Sequence, residues 1–207
     1  MEINYTCSLG TLCHPAVVMK NKKLKLASYP FDWVFSSPKI IIDCLEDDFK
    51  KFLDKTNYVN IKNKWNNNQC GHKIFHENFF NHRDPRKEID YNYYIRCVDR
   101  FNKLLKYPEN KLFVIMYINK NSYLDAKEEI INFNKKFSNY TNNYTLLCII
   151  QIVSRTSKVE KEIIDNIHFY YLYTTSRSTG TLFYSKDDTN NLNNIFDNYK
   201  YNLLEMK

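Results

Sequence analysis

Cys13 occupies the position in this chain that is best suited to nucleophilic chemistry. It follows the turn-forming segment Ser8-Leu9-Gly10, which closes a predicted strand over residues 3–9, and it stands at the start of a predicted helix. Unpaired N–H groups and the dipole at a helix N-terminus favour the thiolate form of a cysteine, and the same groups stabilise an oxyanion. The position therefore predicts a reactive thiol, with a small buried core side chain as the alternative interpretation.

A cysteine nucleophile needs a general base, which is usually a histidine oriented by a third polar group. His14 adjoins Cys13, but neighbouring side chains on a helix point about 100° apart. We therefore expect His14 to be a poor base that lies on the surface. His168 falls inside a predicted strand, and we interpret it as a packed core histidine.

The polar stretch between residues 57 and 86 contains the remaining histidines. His72, His76 and His82 are the realistic candidates for the base, and Asp84 lies close to the last of them. Cys70 and the three histidines also contain the ligand types of a zinc site. Their spacing matches no standard zinc finger, and the chain contains no CxxC pair, so we expect no metal and no other cofactor.

A phosphate site is the main alternative for the first turn. Three glycines cannot build a glycine-rich phosphate loop, but Ser8-Leu9-Gly10 before a helix can hold a single phosphate. With Arg96 or Arg100 nearby, this interpretation describes a transferase-like enzyme that binds a phosphate or a nucleotide sugar. A third interpretation is a non-catalytic interaction module, in which Cys13 and Trp33 are packing residues.

The elements that must position these side chains alternate between strands and helices. Apolar runs at 111–118 and 146–153 predict strands that are buried on both faces of a sheet. The other predicted elements are short strands at 58–61, 73–75, 167–173 and 181–184, a helix from Pro38 with an apolar stripe to Leu53, and helices around 94–105, 124–137 and 190–204.

This alternation predicts an α/β fold, a single domain over residues 1–207 with a mainly parallel central sheet flanked by helices. Reactive groups collect at the carboxyl ends of parallel strands. Cys13, Asn119 and Ser154 are all expected near that edge.

Composition excludes several classes of protein. The net charge is +7, and its densest cluster is Lys20, Lys22, Lys23 and Lys25, which we interpret as a solvated helix end. A nucleic-acid partner is therefore not expected. The sequence shows no signal-peptide pattern and no apolar run of about 18 residues, so we expect no membrane association. Free thiols point to the cytoplasm or another reducing intracellular compartment.

Five segments occur in a characteristic order: Ser8-Leu9-Gly10-x-x-Cys13, Tyr29-Pro30-Phe31-Asp32-Trp33, His82 with Pro85, Arg96 with Arg100-Phe101, and the strand that begins Lys111-Leu112-Phe113. Taken in order, these segments resemble a family of bacterial and large-DNA-virus proteins of unknown function that are described as papain-like cysteine peptidases. The resemblance covers roughly residues 3–155, and the long middle segment is most similar to the viral branch, for which the compartment would be that of a host cell.

The resemblance implies a thiol hydrolase that acts on a protein or peptide, with Cys13 as nucleophile and a histidine as base. His82 falls where the family has a histidine followed by proline, and His76 is the alternative alignment. Asp32 would orient His82 or anchor a loop, while Asn119 suits the orienting role in a papain-like order of cysteine, histidine and asparagine. Ser8, Gly10, Trp33 and Arg100 are the candidates for substrate binding. The papain label makes an α+β fold the alternative to the parallel sheet.

Overall fold

The computed structural model of the chain describes residues 2–62, 68–80 and 82–206. Its strands are β1 (Glu2–Ile3), β2 (Tyr5–Gly10), β3 (Tyr58–Lys62), β4 (Asn68–His72), β5 (His76–Phe80), β6 (Lys111–Lys120), β7 (Tyr144–Val153), β8 (Lys158–Ile164), β9 (Ile167–Thr174) and β10 (Lys200–Tyr201). Its helices are α1 (His14–Asn21), α2 (Pro38–Glu46), α3 (Lys50–Leu53), α4 (Glu88–Lys106), α5 (Leu124–Phe137) and α6 (Lys186–Asp197), with a 3-10 turn at Lys55–Asn57.

The central sheet has the strand order β2-β6-β7-β9-β8. The first four strands of this order are parallel to their neighbours, and β8 joins β9 in antiparallel orientation at the edge. The prediction of an α/β fold with a mainly parallel sheet flanked by helices is therefore confirmed, rather than the α+β alternative. A separate antiparallel sheet, β3-β4-β5, and a parallel pair, β1-β10, complete the described strands.

Both faces of the central sheet are covered, and its inner strands are apolar at most positions. In β6, Leu112, Val114 and Met116 pack on one face with α1 and α6. Phe113 and Ile115 point to the opposite face, which α2, α4 and α5 cover together with the small sheet. Alternation of side chains along a strand distributes one continuous apolar run between two layers of helices.

The helix predicted from Pro38 to Leu53 is two helices. Its start is as expected, since the Ser37 side chain accepts a hydrogen bond from the Ile40 N–H and Pro38 lies in the first turn. The helix ends at Glu46, because Asp48 and Phe49 adopt positive φ angles of 54° and 59°. The chain then resumes as α3, and the stripe continues across the break.

Three other predicted elements are wrong. The segment 73–75 is the turn between β4 and β5, and 181–184 forms no strand. The additional strand is instead β8, whose alternating charged residues suit an exposed sheet edge. The last helix begins earlier than predicted because the Ser185 side chain caps it, and it ends at Asp197 before β10. Within the described chain, no helix is both long and apolar enough to cross a bilayer.

Candidate active site

Cys13 and His82 lie in direct contact although 69 residues separate them in the sequence. The Nε2 atom of His82 is 3.0 Å from the Cys13 Sγ atom. Cys13 is the N-cap residue of α1, while His82 follows β5. The cysteine is only 3% exposed, whereas the histidine ring reaches the surface. The fold thus places a buried sulfur beneath an accessible imidazole.

The turn before Cys13 explains how the thiol reaches the edge of the sheet. Gly10 and Thr11 adopt positive φ angles of 79° and 56° at the end of β2. A Cβ atom on Gly10 would lie 2.5 Å from the Ser36 Oγ and 2.7 Å from the Phe31 carbonyl oxygen. Ser36 donates to the Leu9 carbonyl at 2.8 Å and accepts from the Thr11 N–H at 3.1 Å. A left-handed threonine is an unusual conformation that is concentrated at functional sites.

The segment that contains Trp33 holds His82 in place. Val34 forms an antiparallel bridge with Phe80 at the end of β5, and the Phe35 N–H donates to the Phe79 carbonyl at 3.1 Å. These backbone contacts bring Trp33 beside His82, with ring centroids 5.8 Å apart in an edge-on arrangement. The aromatic motif therefore supplies one wall of the site.

Electrostatics favour a neutral imidazole at His82, and the start of α1 favours negative charge beside it. Partial desolvation lowers the pKa of His82 below its ordinary value, so the ring is available as a proton acceptor at neutral pH. The N-terminus of α1 carries partial positive charge at Cys13, which favours a thiolate. Pro15 lies in the first turn and has no N–H, so the donors left there come from its neighbours.

The prediction that His14 lies on the surface is wrong. His14 is 2% exposed, and its Nδ1 lies 2.9 Å from the Ser178 Oγ. Its ring packs against Phe183 with centroids 4.9 Å apart. Burial lowers the pKa of His14 to about 4, so the residue is neutral at physiological pH. The segment after β9 covers the start of α1, which the helix pattern alone does not reveal.

Asn119 is connected to His14 through Ser178. Its amide donates to the Ser178 carbonyl and accepts from the Ser178 N–H, each at 3.0 Å. The Asn119 N–H donates to Gln151, whose own amide donates to Thr174. Asn119 thus secures Ser178, the residue that contacts His14, at the carboxyl edge of the sheet.

Asp32 anchors the aromatic segment. Its Oδ2 accepts from the Tyr29 N–H at 2.8 Å and forms an ion pair with the Lys25 Nζ at 2.7 Å, and both side chains are buried. Of the two roles that the resemblance implies for Asp32, these contacts correspond to the loop anchor. Trp33 follows Asp32 directly, so the ion pair fixes the wall next to His82.

The four candidates for substrate binding lie in different surroundings. Trp33 borders His82, as described above. Ser8 is fully buried and accepts from the Gly10 N–H at 3.2 Å, so both residues shape the turn. The N–H groups of Gly10 and Thr11 are occupied by Ser8 and Ser36, which leaves these two donors unavailable to a phosphate. Arg100 lies on α4 and donates to the Ser28 carbonyl at 2.6 Å.

The other histidines are used in local structure. His72 is buried, with Nε2 2.9 Å from the Lys51 carbonyl oxygen, while its Nδ1 accepts from the Phe75 N–H. His76 accepts from the Asn78 N–H two residues later. His168 is half-buried rather than fully packed, and its Nδ1 lies 2.8 Å from the Tyr199 hydroxyl. Among the described residues, no group of three or more cysteine, histidine or acidic side chains could hold a metal ion, so the zinc alternative has no support.

Ser178 and Ser36 were not identified from the sequence. Ser178 contacts a side chain that is 164 residues away, and Ser36 bonds a turn 25 residues away. Neither contact leaves a local pattern. The only sequence signal is that Ser36 stands beside a helix cap.

Comparison with known proteins gives one result. The model of a protein family of unknown function, described as "Putative papain-like cysteine peptidase", matches residues 4–157. The matched range includes Cys13, Asp32, His82 and Asn119, whereas Ser178 lies beyond it. No curated protein and no solved structure matches the chain.

Proposed function

We propose that this chain, which belongs to that family, is a thiol hydrolase with Cys13 as nucleophile and His82 as general base. The observation that carries the proposal is the 3.0 Å separation between the Cys13 Sγ and the His82 Nε2. A nucleophile and a base within hydrogen-bond reach are the minimum constellation for acyl transfer. We further propose that residues 1–207 form a single peptidase domain that acts on a protein or peptide.

The reaction begins when His82 Nε2 accepts the thiol proton of Cys13. The thiolate attacks the substrate carbonyl carbon, and backbone N–H groups at the start of α1 stabilise the resulting oxyanion. The intermediate then collapses, the amide C–N bond breaks, and the imidazolium of His82 donates its proton to the departing amine. Water, deprotonated by His82, cleaves the thioester, releases the acid and restores the thiol.

The burial of Cys13 determines the direction of attack. The sulfur is 3% exposed, whereas His82 is accessible and Trp33 is half-buried. A substrate therefore reaches the thiol along the side that His82 and Trp33 border. None of the six cysteines forms a disulfide, which agrees with a reducing compartment such as the cytoplasm.

The two rival functions have less support. Ser8 and Ser36 already occupy the N–H groups of Gly10 and Thr11, which leaves a phosphate at the first turn only the donors at the start of α1. A non-catalytic module predicts that Cys13 is far from every histidine, and the contact with His82 contradicts that expectation. Burial of Cys13 is the one feature that such a module shares with the structure.

Thiol labelling tests the proposal directly. We expect iodoacetamide to modify Cys13 at least about tenfold faster than Cys44 or Cys97, because the imidazole of His82 contacts the Cys13 sulfur and can accept its proton. Burial raises the pKa of Cys44 and of Cys97, which makes them suitable internal references. Cleavage of a mixed peptide library should disappear in Cys13→Ala and persist in Cys44→Ala. Equal labelling of the three thiols, or cleavage that survives Cys13→Ala, would exclude this function.

A further inference from the structure

A charged groove lies close to His82 and reaches Lys20 near the end of α1. Its volume is about 380 Å³, and its principal lining residues are Lys20, Lys25, Ser28, Trp33, Arg83 and Tyr93. Three of these six side chains are cationic and two are aromatic. The groove is therefore suited to a ligand that carries negative charge on a chain with some apolar surface.

The groove adjoins His82 through two of its lining residues, Trp33 and Arg83. Trp33 is shared, since its ring borders His82 on one side and the groove on the other. Arg83 follows His82 directly in the chain. Lys20 lies on α1 seven residues after Cys13, which is two helical turns or about 10 Å along the axis on nearly the same face. An extended peptide covers about 10 Å in three residues.

The cations differ in how far they are neutralised. Lys25 is paired with buried Asp32 at 2.7 Å, and Arg83 is paired with Asp90, also at 2.7 Å. Lys20 is exposed at the groove and adds a further positive charge. The lining cations therefore outnumber the two carboxylates that neutralise them by one.

Arg100 extends the positive region. It lines an adjoining groove of about 450 Å³ that shares Ser28 and Tyr93 with the first. Its hydrogen bonds go to the neutral Ser28 carbonyl and to the thiol of Cys97, whose pKa is raised by burial, so neither partner cancels its charge. Glu205 is the acidic residue in the lining of this second groove, and it is exposed at the far end of the chain.

Arg83 is held in position before any ligand arrives. Its guanidinium lies 3.8 Å from the centre of the Tyr93 ring and donates to the Asp90 carboxylate at 2.7 Å. A guanidinium that is stacked and bonded in this way loses little side-chain entropy when it contacts an anion. It still has further N–H donors available for a second acceptor.

We propose that this groove binds an anionic side chain of the substrate polypeptide, within about three residues of the bond that Cys13 attacks. The proposal rests on the thiol hydrolase function and adds its substrate class. Lys20, Arg83 and Arg100 supply the charge, while Trp33 and Tyr93 contact the substrate chain between the anion and the reacting carbonyl. The recognised chemistry is shared by the carboxylate of aspartate or glutamate and by the phosphoryl group of a phosphoserine.

The first test measures the electrostatic preference at the thiol without any cleavage. Cys13 is alkylated with anionic iodoacetate and with neutral iodoacetamide, and the ratio of the two rates is divided by that of glutathione. We expect a ratio about two- to fourfold in favour of the anion at low salt, decreasing at high salt. Lys20→Glu and Arg100→Gln should each lower the ratio. Lys135→Glu, an equally exposed charge reversal on α5, should not.

The second test measures binding with the protein that lacks the nucleophile. Cys13→Ala is titrated with peptide pairs that differ only in aspartate against asparagine, glutamate against glutamine, or phosphoserine against serine. Binding about tenfold tighter for an anionic member, and lost in Lys20→Glu, supports the groove. The member that binds better separates a carboxylate from a phosphoryl source.

The two proposals fail in different ways. If Cys13 reacts with neither reagent, the thiol hydrolase function is wrong, and the binding test still decides the groove. If Cys13 reacts rapidly but shows no preference for the anion, and each peptide pair binds equally or not at all, the groove proposal is overturned while the hydrolase remains.

Discussion

Cys13 lies between two histidines that the fold holds in opposite ways. His82 reaches the surface and is held by the end of β5 and by the segment that contains Trp33. His14 is buried and bonded to Ser178, which Asn119 secures at the carboxyl edge of the sheet. The rigid edge therefore determines where the thiol is, and the surface segment determines whether it can lose its proton. We therefore expect substitutions around His82 to lower activity and substitutions around His14 to lower stability.

The largest effect is expected from His82→Ala. Loss of the general base should lower kcat/KM for peptide cleavage about a thousandfold, with little change in the unfolding midpoint because the ring is exposed. His76→Ala is the matched control, since His76 is another exposed histidine with a single local hydrogen bond. A decrease in kcat/KM of less than tenfold in His82→Ala would mean that another group is the general base. The two histidines would then not differ in the way proposed.

Low pH should lower the stability of the fold because His14 is buried in its neutral form. The pKa of His14 is about 4 in the folded chain against about 6.5 when unfolded. The unfolded state binds more protons between these values, so stability is full above pH 6.5 and is lost as the pH falls towards 4, by up to about 3 kcal/mol. Urea unfolding at several pH values should show this slope, and the slope should be smaller in His14→Gln. An unchanged slope would mean that other groups cause the acid sensitivity.

Ser178→Ala should lower the stability of the fold and leave kcat nearly unchanged. The substitution leaves the buried His14 Nδ1 without its partner, which costs about 2 kcal/mol in the free energy of unfolding. Ser138→Ala removes a side-chain bond of similar length at an exposed site and should cost less than about 0.5 kcal/mol. If Ser178→Ala instead lowers kcat without changing stability, the His14 side takes part in catalysis directly.

The smallest expected effect concerns Trp33. Desolvation lowers the pKa of His82, and Trp33 contributes to that desolvation by its edge contact. In a Cys13→Ala background, where His82 titrates without the thiol, Trp33→Ala should raise the pKa of His82 by less than about one unit. Phe35→Ala, two residues away and exposed, is the control. Titration of the imidazole by NMR would show no shift if another residue excludes the water.

The sequence was informative wherever local patterns carry the signal. The apolar runs of β6 and β7 predicted their burial on both faces, and the Ser37-Pro38 pair predicted the start of α2. The turn before Cys13 predicted a helix N-terminus, and α1 begins there. The residues of the Cys13–His82 contact were both named in advance, although their catalytic roles stay a prediction.

What the sequence did not reveal depends on contacts between distant segments. The side chain of His14 does leave the helix in a different direction from that of Cys13, but Ser178 and Phe183 cover it. The charged sequence of β8 is typical of a loop, and the segment is a strand because it pairs with β9. Asn119 was assigned to His82 from its place at a strand end, and the same edge carries it to Ser178 instead. Strand ends predict the neighbourhood of a side chain better than its partner.

The order of the central sheet has a consequence for how the protein can be shortened. The family match ends at residue 157, yet β8 and β9 follow it and cover the side of β7 that faces away from β6. A chain cut at that boundary would expose the backbone of Leu146–Ile152 as an unpaired apolar edge, which recruits other chains into aggregates. The end of the family match is therefore not a folding boundary, and expression trials should retain β9 and its edge strand, β8.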